Sequence, residues 1–168
     1  MNPDLFWIPG PWRGGLAVLT RPRGGDWLDD EVSGWRQAGL DVVVSLLERQ
    51  ETTELQLDRE ADAAKLRGIH FISFPIPDRG IPAHKRDAIA LFGKLGAALA
   101  EGKKIAVHCR QGIGRSGLIV AGMLVTHGIS SEKAVEVVSS ARRRPIPDTA
   151  EQLRWIEQLP SEQLIPTS

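Results

Sequence analysis

The most reactive residue type in this sequence occurs once, inside a glycine-rich segment. The segment VHCRQGIGRSG at 107–117 contains Cys109, the only cysteine of the chain, six residues before Arg115. A cysteine thiolate is a nucleophile, and the planar guanidinium of an arginine matches two oxygens of a phosphoryl group. Gly112 and Gly114 can adopt positive φ angles, which lets successive backbone N–H groups point at one centre. The segment therefore predicts a phosphate-binding loop with a thiolate at its base.

The predicted loop would also favour the ionised form of its cysteine, because the groups that await a phosphate stabilise S⁻ as well. We expect Cys109 to attack a phosphate ester and form a phosphocysteine without a metal. The predicted substrate-binding residues are Arg110, Gln111, Gly112, Ile113, Gly114 and Arg115. The alternative is that Cys109 is a small buried hydrophobic residue, as most single cysteines are.

Three neighbours of the nucleophile have less specific roles. Ser116 could donate a hydrogen bond to the Cys109 sulfur when the phosphoenzyme is hydrolysed, or it could be an ordinary residue of a first helical turn. His108 ends a strand and should point away from the pocket, either as a structural residue or as a support that orients the loop. Arg110 is expected at the pocket rim, where it attracts anionic substrates.

The leaving group of a phosphate ester needs a proton, and Asp78 is the candidate donor. It lies 31 residues before Cys109, in the segment PIPDRGIP at 75–82. This segment leaves the preceding predicted strand, so it should lie at the same edge of the sheet as the cysteine. Its prolines and glycine suit a stiff flap that closes over the pocket, after which Asp78 would act as the base for the hydrolytic water. The alternative is an aspartate that only shapes a turn.

Segments with strand and helix patterns alternate along the chain. Strands are predicted at 16–20, 41–45, 69–74 and 104–108, and helices at 29–38, 53–67, 83–100, 118–126, 131–144 and 149–159. Alternation of this kind indicates an α/β fold with a largely parallel sheet, in a single domain spanning 1–168 with its core at about 5–159. Thr53 with Gln56, and Thr149 with Gln152, have capping-box spacing. Arginines 142–144 are expected in solvent at a helix end.

The composition argues against several other functions. The 21 Lys and Arg balance the 21 Asp and Glu, so no overall field favours a nucleic acid or an anionic membrane. The four histidines are scattered and one cysteine cannot form a thiolate cage, so a metal site is not expected. The chain has no run of about 18 apolar residues and no secretory pattern at its start. We expect a cytoplasmic monomer.

The segment at 107–117 resembles the signature of protein tyrosine phosphatases, Cys-x5-Arg followed by Ser or Thr. With VVVSLLE at 42–48, FPIPDRGIP at 74–82 and IPDTAEQLRWIEQL at 146–159, the chain resembles the compact dual-specificity branch of that superfamily. The resemblance implies a sheet of four to five strands flanked by helices, no cofactor, and phosphorylated proteins or peptides as partners. It implies Cys109 as nucleophile, Arg115 as phosphate binder, Asp78 as general acid and Ser116 as the assisting hydroxyl. Phosphate, sulfate and vanadate should bind in the loop.

The chain departs from the tyrosine-specific relatives in two respects. They carry a Gln where Asp148 stands, and Gln152 matches their second Gln, either as a support for catalysis or as a helix cap. Their Asn-Arg-Tyr segment is missing, and the chain has no Tyr, so a shallower pocket that also admits phosphoserine and phosphothreonine is expected. The alternatives are a phosphoinositide or small-molecule phosphatase, an inactive phosphoprotein-binding module and a rhodanese-type sulfurtransferase.

Overall fold

A five-stranded sheet forms the centre of the protein, which is described by a computed structural model over residues 2–160. The strands are β1 (Leu5–Ile8), β2 (Gly15–Leu19), β3 (Val42–Ser45), β4 (His70–Ser73) and β5 (Lys104–His108). Their order in the sheet is β1-β2-β5-β3-β4, with only β1 antiparallel to its neighbour. The predicted α/β fold with a largely parallel sheet is confirmed.

The helices that follow in the described residues cover both faces of this sheet. They are α1 (Leu28–Gln37), α2 (Arg49–Glu54), α3 (Glu60–Leu66), α4 (Lys85–Ala100), α5 (Gly114–Thr126), α6 (Ser131–Arg142) and α7 (Ala150–Glu157). Successive strand residues point to opposite faces. Val42 and Val44 therefore pack in the cluster with α4 to α7, whereas Val43 packs in the cluster with α1 and α3.

Helix α5 is the most deeply placed helix, and all of its residues are buried. It starts at Gly114 and not at the predicted residue 118. Its first turn includes the polar residues Arg115 and Ser116, which are buried like the rest of the helix. The apolar pattern marked only the part of the helix that packs against aliphatic neighbours. Since α5 follows β5 directly, its N-terminus lies at the carboxyl end of the central strand.

The single helix predicted at 53–67 is wrong. Residues 49–54 and 60–66 form two short helices, and Gln56 between them has a φ of 58°, which a continuing right-handed helix cannot contain. The turn buries Leu57. The capping box in this region joins Glu48 and Glu51, not Thr53 and Gln56, whereas the second predicted box, Thr149 with Gln152, is confirmed.

Strand β1 and the end of helix α6 also differ from the prediction. Strand β1 was not predicted, because LFWI is a four-residue edge strand, three of whose side chains are only partly buried or exposed. Helix α6 ends at Arg142, since Arg143 adopts a left-handed conformation with φ of 58°. Arg142 is not a solvated arginine: its guanidinium lies 4.1 Å from the centre of the Phe6 ring in β1.

No helix within residues 2–160 is both long enough and apolar enough to cross a bilayer.

Candidate active site

Cys109 lies immediately after β5, at the base of the loop that leads into α5. Its side chain is buried, and its Sγ accepts a hydrogen bond from the N–H of Gly112 at 3.3 Å. Gly112 has a φ of 70°, as the sequence predicted, and so turns its amide toward the sulfur. Gly114 does not have the predicted positive φ, because it is the first residue of α5. A Cβ at Gly114 would lie 3.0 Å from the Cβ of Asp148, so this glycine allows a close approach instead.

A polar pocket of about 90 Å³ opens above the sulfur. This space is several times the roughly 15 Å³ needed for one water, so it can hold a small anion. Its lining residues are Asp78, Arg79, Cys109, Arg110, Gln111, Gly114, Arg115 and Asp148. The structure thus brings the predicted nucleophile, phosphate binder and general acid to one pocket. Within residues 2–160, no group of three or more His, Cys, Asp or Glu is arranged to hold a metal ion.

Arg115 is held by a carboxylate that the sequence analysis missed. Its Nη1 donates to Glu51 Oε1 at 2.6 Å and its Nη2 to Glu51 Oε2 at 2.8 Å, while Nη1 also donates to the carbonyl of Ile76 at 3.0 Å. Burial alone would lower the pKa of Arg115, but Glu51, Cys109 and Asp78 together raise it above the ordinary value. The guanidinium is therefore a fixed cation at the wall of the pocket.

The contact with Arg115 also affects the pKa of Glu51. Burial acts to raise the pKa of Glu51, but the hydrogen bond from Arg115, the backbone N–H of Glu48 and the charge of Arg110 outweigh it, so the pKa lies below 4.5. Glu51 occupies the first turn of α2, directly after the β3 segment. The only signal in the sequence was its capping spacing from Glu48, which indicates a helix start and not a partner for Arg115.

One edge of Arg115 remains available. Glu51 occupies the edge formed by Nη1 and Nη2, whereas Nε–H makes no hydrogen bond to any residue of 2–160. The second N–H of Nη2 lies beside Nε on the same edge, and Asp78 Oδ1 is 3.3 Å from this Nη2. A phosphoryl group could therefore bind this edge through two oxygens. Asp78 itself is largely exposed, at 64% of its side chain.

The loop that carries Asp78 is fixed to the start of α7. The N–H of Gly80 donates to the carbonyl of Pro77 at 2.8 Å, which closes a turn, and Arg79 within it has a φ of 60°. Gln152 Nε2 donates to the carbonyl of Gly80 at 3.0 Å. Gln152 Oε1 accepts from the N–H of Asp148 at 3.0 Å. The side chain of Gln152 is thus engaged with backbone and reaches the site through the loop that it holds.

His108 and Ser116 lie beside the nucleophile but outside the pocket lining. His108 is fully buried and points away from the pocket, as predicted, with its Nε2 2.5 Å from Glu60 Oε2 and its Nδ1 3.4 Å from the carbonyl of Cys109. Glu60 was not singled out in the sequence. Ser116 Oγ is buried without a hydrogen-bond partner in residues 2–160, so it makes no bond to the Cys109 sulfur in this conformation. Its assisting role stays a prediction.

The other predicted binding residues differ in which of their atoms face the pocket. Gln111 is exposed and lines the pocket. Arg110 is at the rim as predicted, with 38% of its side chain exposed, but it also faces Glu54 at 3.5 Å. The side chain of Ile113 is buried in the core, so only its backbone can serve a ligand.

Replacing Glu51 by Gln tests the ion pair. At pH 7 the variant should lose about 3 kcal/mol of unfolding free energy, because the buried guanidinium loses its two-point carboxylate partner and keeps only the largely exposed Asp78 nearby. The folded-state pKa of Glu51 lies below its unfolded value of 4.5, so the stabilisation is fully present above pH 4.5 and is lost as the pH falls through the folded pKa. Denaturant titrations at several pH values measure the difference between wild type and variant, which should shrink below pH 4.5.

The matched control for this measurement is Glu54→Gln, in the same helix. Glu54 is half exposed, and its contacts are a surface hydrogen bond from Gln50 and the rim residue Arg110, so the substitution should change stability by no more than about 0.5 kcal/mol. A Glu51→Gln penalty that stayed constant from pH 7 to pH 3 would contradict the assignment.

Comparison with known families places these residues in context. A protein-family model described as "Polymorphic toxin system, DSP-PTPase phosphatase" matches residues 17–129, which is more than half of the chain. The chain is similar to protein tyrosine phosphatase type IVA 3 of Homo sapiens, with 33% identity over 54% of this chain and 51% of that protein. It is also similar to dual specificity protein phosphatase 12 of Mus musculus, with 24% identity over 80% of this chain.

The chain spans only 34% of the length of the mouse protein, so these relatives contain further sequence. Among solved structures, kinase associated phosphatase with a serine in place of its catalytic site cysteine superposes with a TM-score of 0.84. That likeness covers 94% of both chains at 18% identity, which shows the fold alone. The family match over more than half of the chain shows that the chain belongs to the DSP-PTPase phosphatase family, a dual-specificity-like group of the protein tyrosine phosphatase superfamily.

Proposed function

We propose that this protein hydrolyses phosphate monoesters of phosphorylated proteins through a phosphocysteine at Cys109, in a single catalytic domain. The observation that supports this most directly is the pocket that holds the Cys109 sulfur, the Nε–Nη2 edge of Arg115 and the carboxylate of Asp78 together. A module that only bound phosphoproteins would need the anion site but neither a nucleophile nor a proton donor. The presence of all three groups favours catalysis.

In the first step the phosphoryl oxygens bind to the loop N–H groups and to Nε and Nη2 of Arg115. The ester displaces the Asp78 carboxylate from Nη2; away from the guanidinium the carboxyl takes up a proton from solvent and lies beside the leaving oxygen. The Cys109 thiolate attacks phosphorus, the ester P–O bond breaks, and the leaving oxygen takes the proton of Asp78. The N–H groups and the guanidinium stabilise the charge on the three equatorial oxygens.

In the second step a water attacks the phosphocysteine. Asp78, now a carboxylate, accepts a proton from that water as the P–S bond breaks, and inorganic phosphate leaves with Cys109 again a thiolate. The Ser116 hydroxyl, which has no other partner in the described residues, donates to the departing sulfur after a rotation of its side chain. Gln152 keeps the Asp78 loop in place through Gly80.

The rim of the pocket favours a single phosphoryl group on a protein. Its two exposed arginines are each opposed by a carboxylate, Arg79 by Asp148 at 3.8 Å and Arg110 by Glu54 at 3.5 Å. A lipid headgroup with several phosphates would need unpaired cations at these places. Phosphoproteins therefore fit the rim better than polyphosphorylated inositol lipids.

Hydrolysis of an aryl phosphate in the presence of a chelator tests the proposed activity. We expect turnover that survives EDTA and is blocked by vanadate, since vanadate occupies the oxyanion site. Matched phosphotyrosine and phosphothreonine peptides, with a polyphosphorylated inositol lipid as a third substrate, then compare substrate classes by kcat/KM. Turnover lost with EDTA would overturn the mechanism, and a lipid kcat/KM above that of both peptides would overturn the substrate assignment.

A further inference from the structure

Two arginines bind the phosphate loop from its outer side. Arg21 follows β2, and its Nε–H donates to the carbonyl of Arg110 at 3.0 Å. Arg142 is the last residue of α6, and its Nε–H donates to the carbonyl of Gly112 at 2.7 Å while its Nη2 reaches the carbonyl of Gln111 at 3.5 Å. Three successive carbonyls of the loop are therefore directed away from the pocket.

The direction of these carbonyls decides the direction of the amides. In a planar trans peptide the C=O of one residue and the N–H of the next point opposite ways. The peptide between Gln111 and Gly112 shows the result, because its carbonyl faces Arg142 while its N–H bonds the Cys109 sulfur at 3.3 Å. The same relation turns the N–H groups of Gln111 and Ile113 toward the pocket.

Arg142 is itself positioned by other elements. The centre of the Phe6 ring in β1 lies 4.1 Å from its guanidinium carbon, a cation–π contact between α6 and the edge strand. Burial and the charge of Arg144 lower the pKa of Arg142, whereas Cys109 raises it. A guanidinium stays protonated at neutral pH. The outer side of the loop is thus covered by a cation that also contributes positive potential beneath a bound anion.

We infer that Arg21 and Arg142 are positioning residues of the phosphate site, which act through the loop carbonyls and touch neither substrate nor nucleophile. This inference rests on the proposed function, since it assigns the loop N–H groups to an oxyanion. Without Arg142 the carbonyls of Gln111 and Gly112 lose their outer donor, and a peptide that rotates places a carbonyl dipole where the phosphate must bind. Oxyanion affinity and turnover then fall together.

The variants Arg142→Ala, Arg142→Lys and Arg21→Ala test this, with Arg144→Ala as the matched control from the same basic run. Calorimetric titration with inorganic phosphate measures the affinity of the loop for an oxyanion in the absence of turnover, and an aryl phosphate assay gives kcat and KM. Because a misplacement of about 1 Å costs up to about 10²-fold, we expect Arg142→Ala to weaken phosphate binding and kcat/KM by about 10- to 100-fold. Lysine keeps the charge but cannot hold two carbonyls as a planar fork, so Arg142→Lys should restore little.

Added guanidinium ion at non-denaturing concentration should partly restore phosphate binding to Arg142→Ala and leave Arg142→Lys unchanged, which a general loss of stability would not produce. Phosphate binding by Arg142→Ala as tight as by Arg144→Ala would overturn the inference, and so would full recovery in Arg142→Lys. If Arg142→Ala does not fold, Arg142→Lys and Arg21→Ala carry the comparison. A wild-type protein that binds phosphate but hydrolyses no ester would refute the proposed function alone, since the binding series still tests the arginines.

Discussion

Cys109→Ser should hydrolyse an aryl phosphate on the order of 10⁶-fold more slowly than the wild-type protein, as expected for loss of a catalytic nucleophile. A serine hydroxyl at this position is a far weaker nucleophile than a cysteine sulfur, because an alcohol is much harder to ionise than a thiol. The measurement is the steady-state rate with the same substrate and pH for both proteins.

Binding of phosphate separates the loss of the nucleophile from a loss of the site. The hydroxyl is no larger than the thiol, and the donors of Arg115 and of the loop are unchanged, so calorimetric titration should show phosphate binding by Cys109→Ser within about tenfold of wild type. A variant that kept wild-type turnover would refute the phosphocysteine mechanism. A variant that lost binding as well would show that the sulfur shapes the loop.

Asp78→Ala should lower kcat by about 10²- to 10⁴-fold for phenyl phosphate, whose leaving group needs a proton. For an ester whose phenol is acidic enough to depart as an anion, the loss should be much smaller. The measurement is kcat across a series of aryl phosphates of graded phenol acidity, for wild type and variant. The alkaline limb of the pH–rate profile, which reports loss of the acid's proton, should disappear in the variant.

The second carboxylate of the pocket supplies the comparison for this series. Asp148 lines the same space but faces Arg79 and not Arg115. In Asp148→Asn, kcat should therefore depend only weakly on the acidity of the leaving phenol, as we expect for the wild type. If the steep dependence appeared in Asp148→Asn and not in Asp78→Ala, the proton donor would be Asp148.

The groups that sequence analysis brought together share one property. Cys109, the loop amides and Arg115 lie within seven consecutive residues, so their spacing alone specifies a strand end, a turn and a helix start. Asp78 could be added because parallel strands present their carboxyl ends at one edge. The alternation of strands and helices was sufficient to predict the α/β fold for the same reason, since each strand and each helix has its own local sequence pattern.

The supporting contacts have no local pattern. Glu51 lies 64 residues from Arg115, Arg142 lies 30 residues from Gly112, and Arg21 lies 89 residues from Arg110. A glutamate in a first helical turn indicates a cap, and an arginine in a last turn indicates a solvated end. Glu51 satisfies its local rule and also binds a distant partner, Arg142 departs from its rule because it binds the loop, and Arg21 lies in a segment with no local rule, so only the packed chain reveals these contacts. The break at Gln56 escaped prediction because glutamine rarely adopts a left-handed conformation.

Because β5 lies in the middle of the sheet, we expect the parts of the site to unfold at different free energies. This strand is hydrogen-bonded on both sides, to β2 and β3, and all but its first residue is buried. Segments of that kind open only with the whole molecule, whereas exposed loops open in local fluctuations of low free energy. The loop around Asp78 is closer to the second kind, because the Asp78 side chain is largely exposed and the loop is attached to α7 through the side chain of Gln152. Under the proposed mechanism, partial unfolding would therefore remove Asp78 while the Cys109 sulfur and the surrounding loop remain assembled, and we expect such a form to bind phosphate but to hydrolyse only esters with good leaving groups.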